Sequence, residues 1–186
     1  MTSSPEKNRA ANEAEAWLGG PLPGVSLMLM PAAHALMQAA IDIERTAASL
    51  TVKEVWSTPA GAPSIGFHLR HIAGSIDRLL TYARGLQLDD EQLRALSSES
   101  IPGEPAETSV ALVRSATNRI EEAIGALRST PDELLFEPRE VGRAKLPSSV
   151  FGLLFHIAEH TQRHTGQVVT TARIVRGLSS ARESQV

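Results

Sequence analysis

His160 and His164 stand four residues apart, a spacing that advances an α-helix by about 400 degrees and returns both imidazoles to nearly the same face, one turn apart. Two imidazoles so placed can converge on one ion. A third ligand from another helix would complete a facial set and leave coordination positions for water or substrate, as in reactive rather than saturated metal sites. His71 is the best donor for that role. His68, three residues earlier, is set about 60 degrees to one side of it on the same helix. The chain contains no cysteine, so thiolate nucleophiles, disulfides and sulfur-rich metal sites are excluded and any metal must be held by nitrogen or oxygen.

A second arrangement overlaps the first. His156-Ile157-Ala158-Glu159-His160 has the order of an inverted zinc-protease motif, in which His156 and His160 would bind zinc and Glu159 would activate water. That chemistry also needs a distal acidic ligand, and no residue identifies itself as one; otherwise His156 caps the edge of the site and Glu159 is solvated or pairs with a nearby base. Asp77 follows His71 by six residues and points about 240 degrees away, which disfavours co-ligation and leaves a structural role beside Arg78. His34, near the start of the first long helix, is read as a hydrogen-bonding or solvent-facing residue. Gln167 is read as orienting water or joining helices, and Gly166 as permitting close backbone packing. Trp17 and Trp56 are expected to be buried against the bundle, since no adjacent basic patch supports a stacking platform.

Positioning these residues falls to four long helices. Pro31 opens the first, which runs to about Leu50 with Leu36, Ala40, Ile43 and Ala47 on its apolar face. After the Thr58–Pro63 loop, Ser64 caps a second that reaches about Gly85 and carries Ile65, Leu69, Ile72, Ile76, Leu79 and Leu80. Asp89-Asp90 caps a short segment ending before Pro102. Pro105 or Glu107 begins a third long helix, with Val110, Val113, Ile120, Ile124 and Leu127, ending near Ser129-Thr130-Pro131. Residues 131–147 show no long period and suit a helical turn or an extended pair around Leu134-Leu135-Phe136 and Val141. Ser148 or Ser149 caps a final helix to about Gly177, with Leu154, Ile157, Val168, Thr171 and Val175 apolar or packed. Amphipathic helices must bury their apolar faces against one another, which predicts an all-α four-helix bundle. The expected organisation is an N-terminal arm over 1–30, broken by Gly19-Gly20-Pro21-Leu22-Pro23-Gly24, then the bundle domain over 31–177 and a C-terminal tail over 178–186.

Composition narrows the function. The chain has 186 residues, 18 basic and 21 acidic side chains and a formal charge of −3, so no excess positive field invites nucleic acid. Asp42, Glu44, Arg70 and Asp77 interrupt the most apolar stretches before the roughly 20 residues that a membrane span requires. The polar Met1–Lys7 segment lacks the apolar core of a secretion signal, and a cytoplasmic location is expected. Phosphate-binding glycine loops, dinucleotide fingerprints, serine triads and the repeated glutamates of a di-iron bundle are all missing.

Two segments carry a family likeness. Ser64-Ile65-Gly66-Phe67-His68-Leu69-Arg70-His71-Ile72 and Phe155-His156-Ile157-Ala158-Glu159-His160-Thr161-Gln162-Arg163-His164-Thr165-Gly166-Gln167, in this helix order, resemble the DinB/YfiT-like superfamily of metal-binding four-helix bundles, over about Pro31 to Gly177. The family's helix-two ligand precedes an apolar-small pair and matches His71 before Ile72-Ala73. Its final-helix ligands, four apart before a Gly-Gln step, match His160 and His164. The resemblance implies a divalent metal, zinc or nickel, and a homodimer. It spans thiol transferases, hydrolase-like proteins and members of unknown activity. The expected function is a divalent-metal-dependent enzyme acting on a small-molecule substrate by water activation or thiol transfer, with a non-catalytic metal-binding scaffold as the alternative.

Overall fold

A computed structural model describes residues 14–183. The beginning of the expected arm, with Met1–Lys7, and the last three residues of the expected tail lie outside the described residues. The described chain is predominantly helical, with six α-helices and one small β-hairpin: α1 (Met30–Ala47), α2 (Val52–Val55), α3 (Ile65–Ala83), α4 (Asp90–Ser98), α5 (Ser109–Ser129), β1 (Pro138–Val141), β2 (Leu146–Ser149) and α6 (Val150–Glu183). A strict four-helix bundle is thus corrected to four long helices with two short ones and a hairpin added at the connections.

The long helices form a ring. α6 packs against α1 and α3, and α5 closes the ring against the same two, so α5 and α6 are diagonal. The apolar stripes meet in one core. Leu36, Ile43 and Ala47 of α1, Ile65, Leu69, Ile72 and Ile76 of α3, Leu112, Ile120 and Leu127 of α5, and Leu154, Ile157, Val168 and Ala172 of α6 are buried there. One expected stripe position fails: Val110, in the first turn of α5 and at the rotational edge of its stripe, is 62% exposed, while Leu112 is buried; α5 itself starts two to four residues later than Pro105 or Glu107 suggests. Thr108 caps it by accepting from the Ala111 backbone N–H.

Local chemistry sets the other boundaries. Ser64 Oγ accepts from the Phe67 N–H at 3.1 Å and fixes the start of α3, the helix that carries His68 and His71. Asp89 and Gln92 form a capping box at α4. Ser149 ends β2 and its Oγ accepts from the Gly152 N–H at 3.0 Å, so the hairpin hands the chain directly to α6. α6 then continues through Gly177 to Glu183. No helix among the described residues is long and apolar enough to cross a membrane.

Candidate metal centre

α3 and α6 lie side by side, and each contributes a pair of histidines beside its buried stripe. His68 and His71 flank Leu69 and Ile72; His160 and His164 flank Ile157, Thr161 and Val168, with Thr165 Oγ1 turned back onto the Thr161 carbonyl at 2.8 Å. Across the groove, His71 Nε2 is 2.9 Å from His160 Nε2. Ring centroids are 4.4 Å apart for His71 and His164 and 4.5 Å for His160 and His164. One ring nitrogen from each of His71, His160 and His164 lies within 4.8 Å of the other two, and all three residues are half-buried. The three form a cluster capable of coordinating a divalent metal ion.

Donor chemistry fits such an ion. Bonds of 2.0–2.1 Å to zinc place two tetrahedral nitrogen ligands about 3.3 Å apart, within the range this cluster spans. Burial lowers His160 and His164 from 6.5 to about 4, and the neighbouring His71 and other basic groups push the same way. Near neutrality both imidazoles are therefore uncharged and keep a lone pair. Burial and His71 bring His68 to about 4 as well.

The surrounding residues settle the far sides of two rings. His68, almost fully buried, places Nδ1 3.0 Å from His164 Nδ1, which leaves His164 Nε2 for the cluster. Glu99 Oε2 is 2.6 Å from His71 Nδ1, and Arg78 Nη1 donates to Glu99 Oε1 at 2.8 Å. Burial pushes the Glu99 carboxyl up, but hydrogen bonds from His71 and Arg78 and their charges outweigh it and hold it below the usual carboxylate range. His160 Nδ1 is buried without a partner. Phe67 stacks on His71, with centroids 5.4 Å apart and planes at 16°.

The other residues singled out from the sequence lie elsewhere. His156 is exposed at the edge, 5.3 Å in centroid distance from His160, with Nδ1 3.2 Å from Glu159 Oε2, and Glu159 also pairs with Arg163. No distal acid joins His156 and His160 in a three-residue metal-binding group among the described residues, so the inverted protease arrangement is not assembled. Asp77 pairs with Arg119 at 3.3 Å and accepts from Gln92 at 2.7 Å, while Arg78 serves Glu99 instead. His34 Nε2 meets the Gly20 carbonyl at 2.9 Å, and Gln167 is exposed. Nothing approaches within 4 Å of where a Gly166 Cβ would sit, so close packing does not explain that glycine. Trp56 is half-buried under the Arg70 guanidinium, whereas Trp17 is 60% exposed, contrary to the expected burial. Glu99 was invisible to sequence reasoning: it lies 28 residues from His71, in no motif.

Comparison with known proteins bears on family and fold. The model of the DinB superfamily matches residues 35–168, which include all three clustered histidines. A crystal structure described as the conserved protein of locus from Enterococcus faecalis is similar in fold, with a TM-score of 0.58 and 20% identity over 80% of this chain and 97% of that one. No curated protein matches the sequence.

Proposed function

This chain belongs to the DinB superfamily, and on that premise we propose that His71, His160 and His164 hold a divalent ion, zinc or nickel, in an enzyme acting on a small molecule by water activation or thiol transfer. The observation that carries the reading is the convergence of three imidazole nitrogens within 4.8 Å, two of them on rings kept uncharged by burial. A bound ion would supply a lowered pKa for a coordinated water or thiol and would polarise a substrate oxygen. The protein's own part is to hold the rings. α3 presents His71, α6 presents His160 and His164, and Phe67 covers one face of His71. Since the chain has no cysteine, a thiol nucleophile comes from the substrate.

Metal analysis after gentle purification should give one ion per chain. His71→Ala and His160→Ala should abolish stoichiometric binding, whereas His68→Ala should keep the stoichiometry and weaken affinity through the lost contact to His164. Absence of stoichiometric metal, or its survival in both ligand variants, would sink the site. Metal without turnover against hydrolytic and thiol-transfer substrates would leave the scaffold reading.

A symmetric homodimer belongs to the same reading. The Phe136, Phe151 and Phe155 rings follow one another at centroid distances of 6.1 and 6.4 Å, and Phe136 and Phe155 are largely exposed, giving a surface that a second copy can cover. Light scattering should report twice the chain mass at micromolar concentration; monomer mass throughout that range overturns the dimer.

A further inference from the structure

On α3, Arg70, Gly74 and Arg78 recur every four residues and form one stripe beside His71. The segment after α4 lies against this stripe. Arg70 donates to the Ser98 carbonyl at 3.2 Å, to the Pro102 carbonyl at 3.1 Å, to the Ile101 carbonyl and to Glu107 Oε2 at 2.6 Å, and its guanidinium stacks over Trp56. These bonds tie down the backbone on both sides of Glu99. Gly74 supplies the space: a Cβ there would stand 2.6 Å from Glu99 Oε1 and 2.7 Å from Arg78 Nη1. Arg78, itself 8% exposed, neutralises a carboxylate that is only 5% exposed. A cleft of about 730 Å³ lies on the outer side, lined by Gly74, Gln92 and Glu99 among others; His71 is not among its lining residues.

An ordinary buried ion pair needs only Arg78 and Glu99. Here the second carboxylate oxygen is spent on His71 Nδ1 at 2.6 Å, a short, charge-assisted contact in which the ring nitrogen donates. That donation fixes the proton on Nδ1 and turns the Nε2 lone pair toward His160, which faces it at 2.9 Å. We propose that Glu99 is a positioning residue for the metal centre, fixing the tautomer and orientation of His71 and strengthening Nε2 as a donor, with Arg78 neutralising it and Arg70 holding its loop. This rests on the metal-binding reading above. The carboxylate never touches the ion; it acts through the ring.

Two measurements test it. Zinc affinity is read by competition with a chromophoric chelator for wild type, Glu99→Gln and Glu99→Ala. The Ala variant should bind about 10- to 100-fold more weakly, and Gln, which keeps an acceptor oxygen without the charge, should fall in between. The His71 tautomer is read by nitrogen-15 NMR of the metal-free protein in alkaline buffer. Wild type should carry the proton on Nδ1, and Glu99→Ala should lose that preference. A wild-type His71 protonated on Nε2 instead overturns the assignment without any variant, even if Glu99→Ala fails to fold. Zinc affinity of a folded Glu99→Ala within about twofold of wild type overturns it too. Wild-type protein that binds no zinc or nickel removes the metal reading and this assignment with it, whereas undiminished binding in Glu99→Ala removes only the role of Glu99.

Discussion

A half-buried imidazole has two nitrogens to satisfy, and their partners decide which one faces a neighbour. His71 spends Nδ1 on Glu99 and His164 spends Nδ1 on His68, so Nε2 of each is left for the groove between α3 and α6. The helix under the first of these rings is held by a single missing side chain. A Cβ on Gly66 would stand 2.7 Å from the six-membered ring of Trp56. That indole cannot slide freely, because its Nε1 donates to the Glu107 carbonyl at 2.9 Å and its face receives Arg70. Gly66→Ala should therefore destabilise the protein by about 1–3 kcal/mol, the usual range for overpacking, although alanine is the better helix former. Denaturant unfolding checks this, and an unchanged or raised midpoint would show that Trp56 yields. His160 and His164 were legible because four-residue spacing is itself geometry. His71 was separable from His68 by helical rotation and by likeness to the family. Glu99 and Gly66 were not legible, since each acts through a neighbour brought close only by tertiary packing.

Among the elements, those with a long apolar period could be read from the sequence and those without one could not. α3 and the start of α6 are specified twice, by stripes and by serine side chains that satisfy free backbone N–H groups. Over residues 131–147 the sequence suits a turn or an extended pair, and both occur: a 3₁₀ turn over Asp132–Leu134 and four-residue strands pairing Pro138 with Ser149 and Val141 with Leu146. Strands that short hold too few alternations to declare a period. Glycine reads as a stop and puts the expected end of the last helix at about Gly177, yet Gly177 lies inside α6, where its cost of about 1 kcal/mol relative to alanine is spread over a long element. The short α2 shows the opposite case. Thr51 and Glu54 satisfy each other's backbone N–H groups in a capping box and Val55 is buried in the core, so a four-residue helix persists without a periodic stripe of its own.

For the whole molecule, the histidine cluster couples folding to protons, and would couple it to an ion held there. His71 stands 89 residues from His160, so an ion bound to both helices would be held by the folded chain and not by the unfolded one. Such a ligand stabilises by about 2.7 kcal/mol at a hundred times its dissociation constant, and a chelator should lower the melting temperature accordingly. Protons act in the opposite direction. Burial, first of all, lowers His68, His160 and His164 from 6.5 to about 4 in the folded state. Above 6.5 these groups are neutral whether the chain is folded or not, and they leave stability independent of pH. Below it the unfolded chain takes up protons that the folded chain refuses, so stability falls steadily toward pH 4 and levels off once both states are protonated. Glu99, depressed by His71 and Arg78 against its own burial, adds loss in the same direction below its ordinary value of 4.5. Thermal melting of the metal-free protein between those limits should therefore show a steep decline beginning near 6.5, where carboxylates alone would hold the curve flat. A melting temperature unchanged from neutrality to pH 5 would mean that the imidazoles titrate as freely in the fold as in water, and that the groove between α3 and α6 is open to solvent.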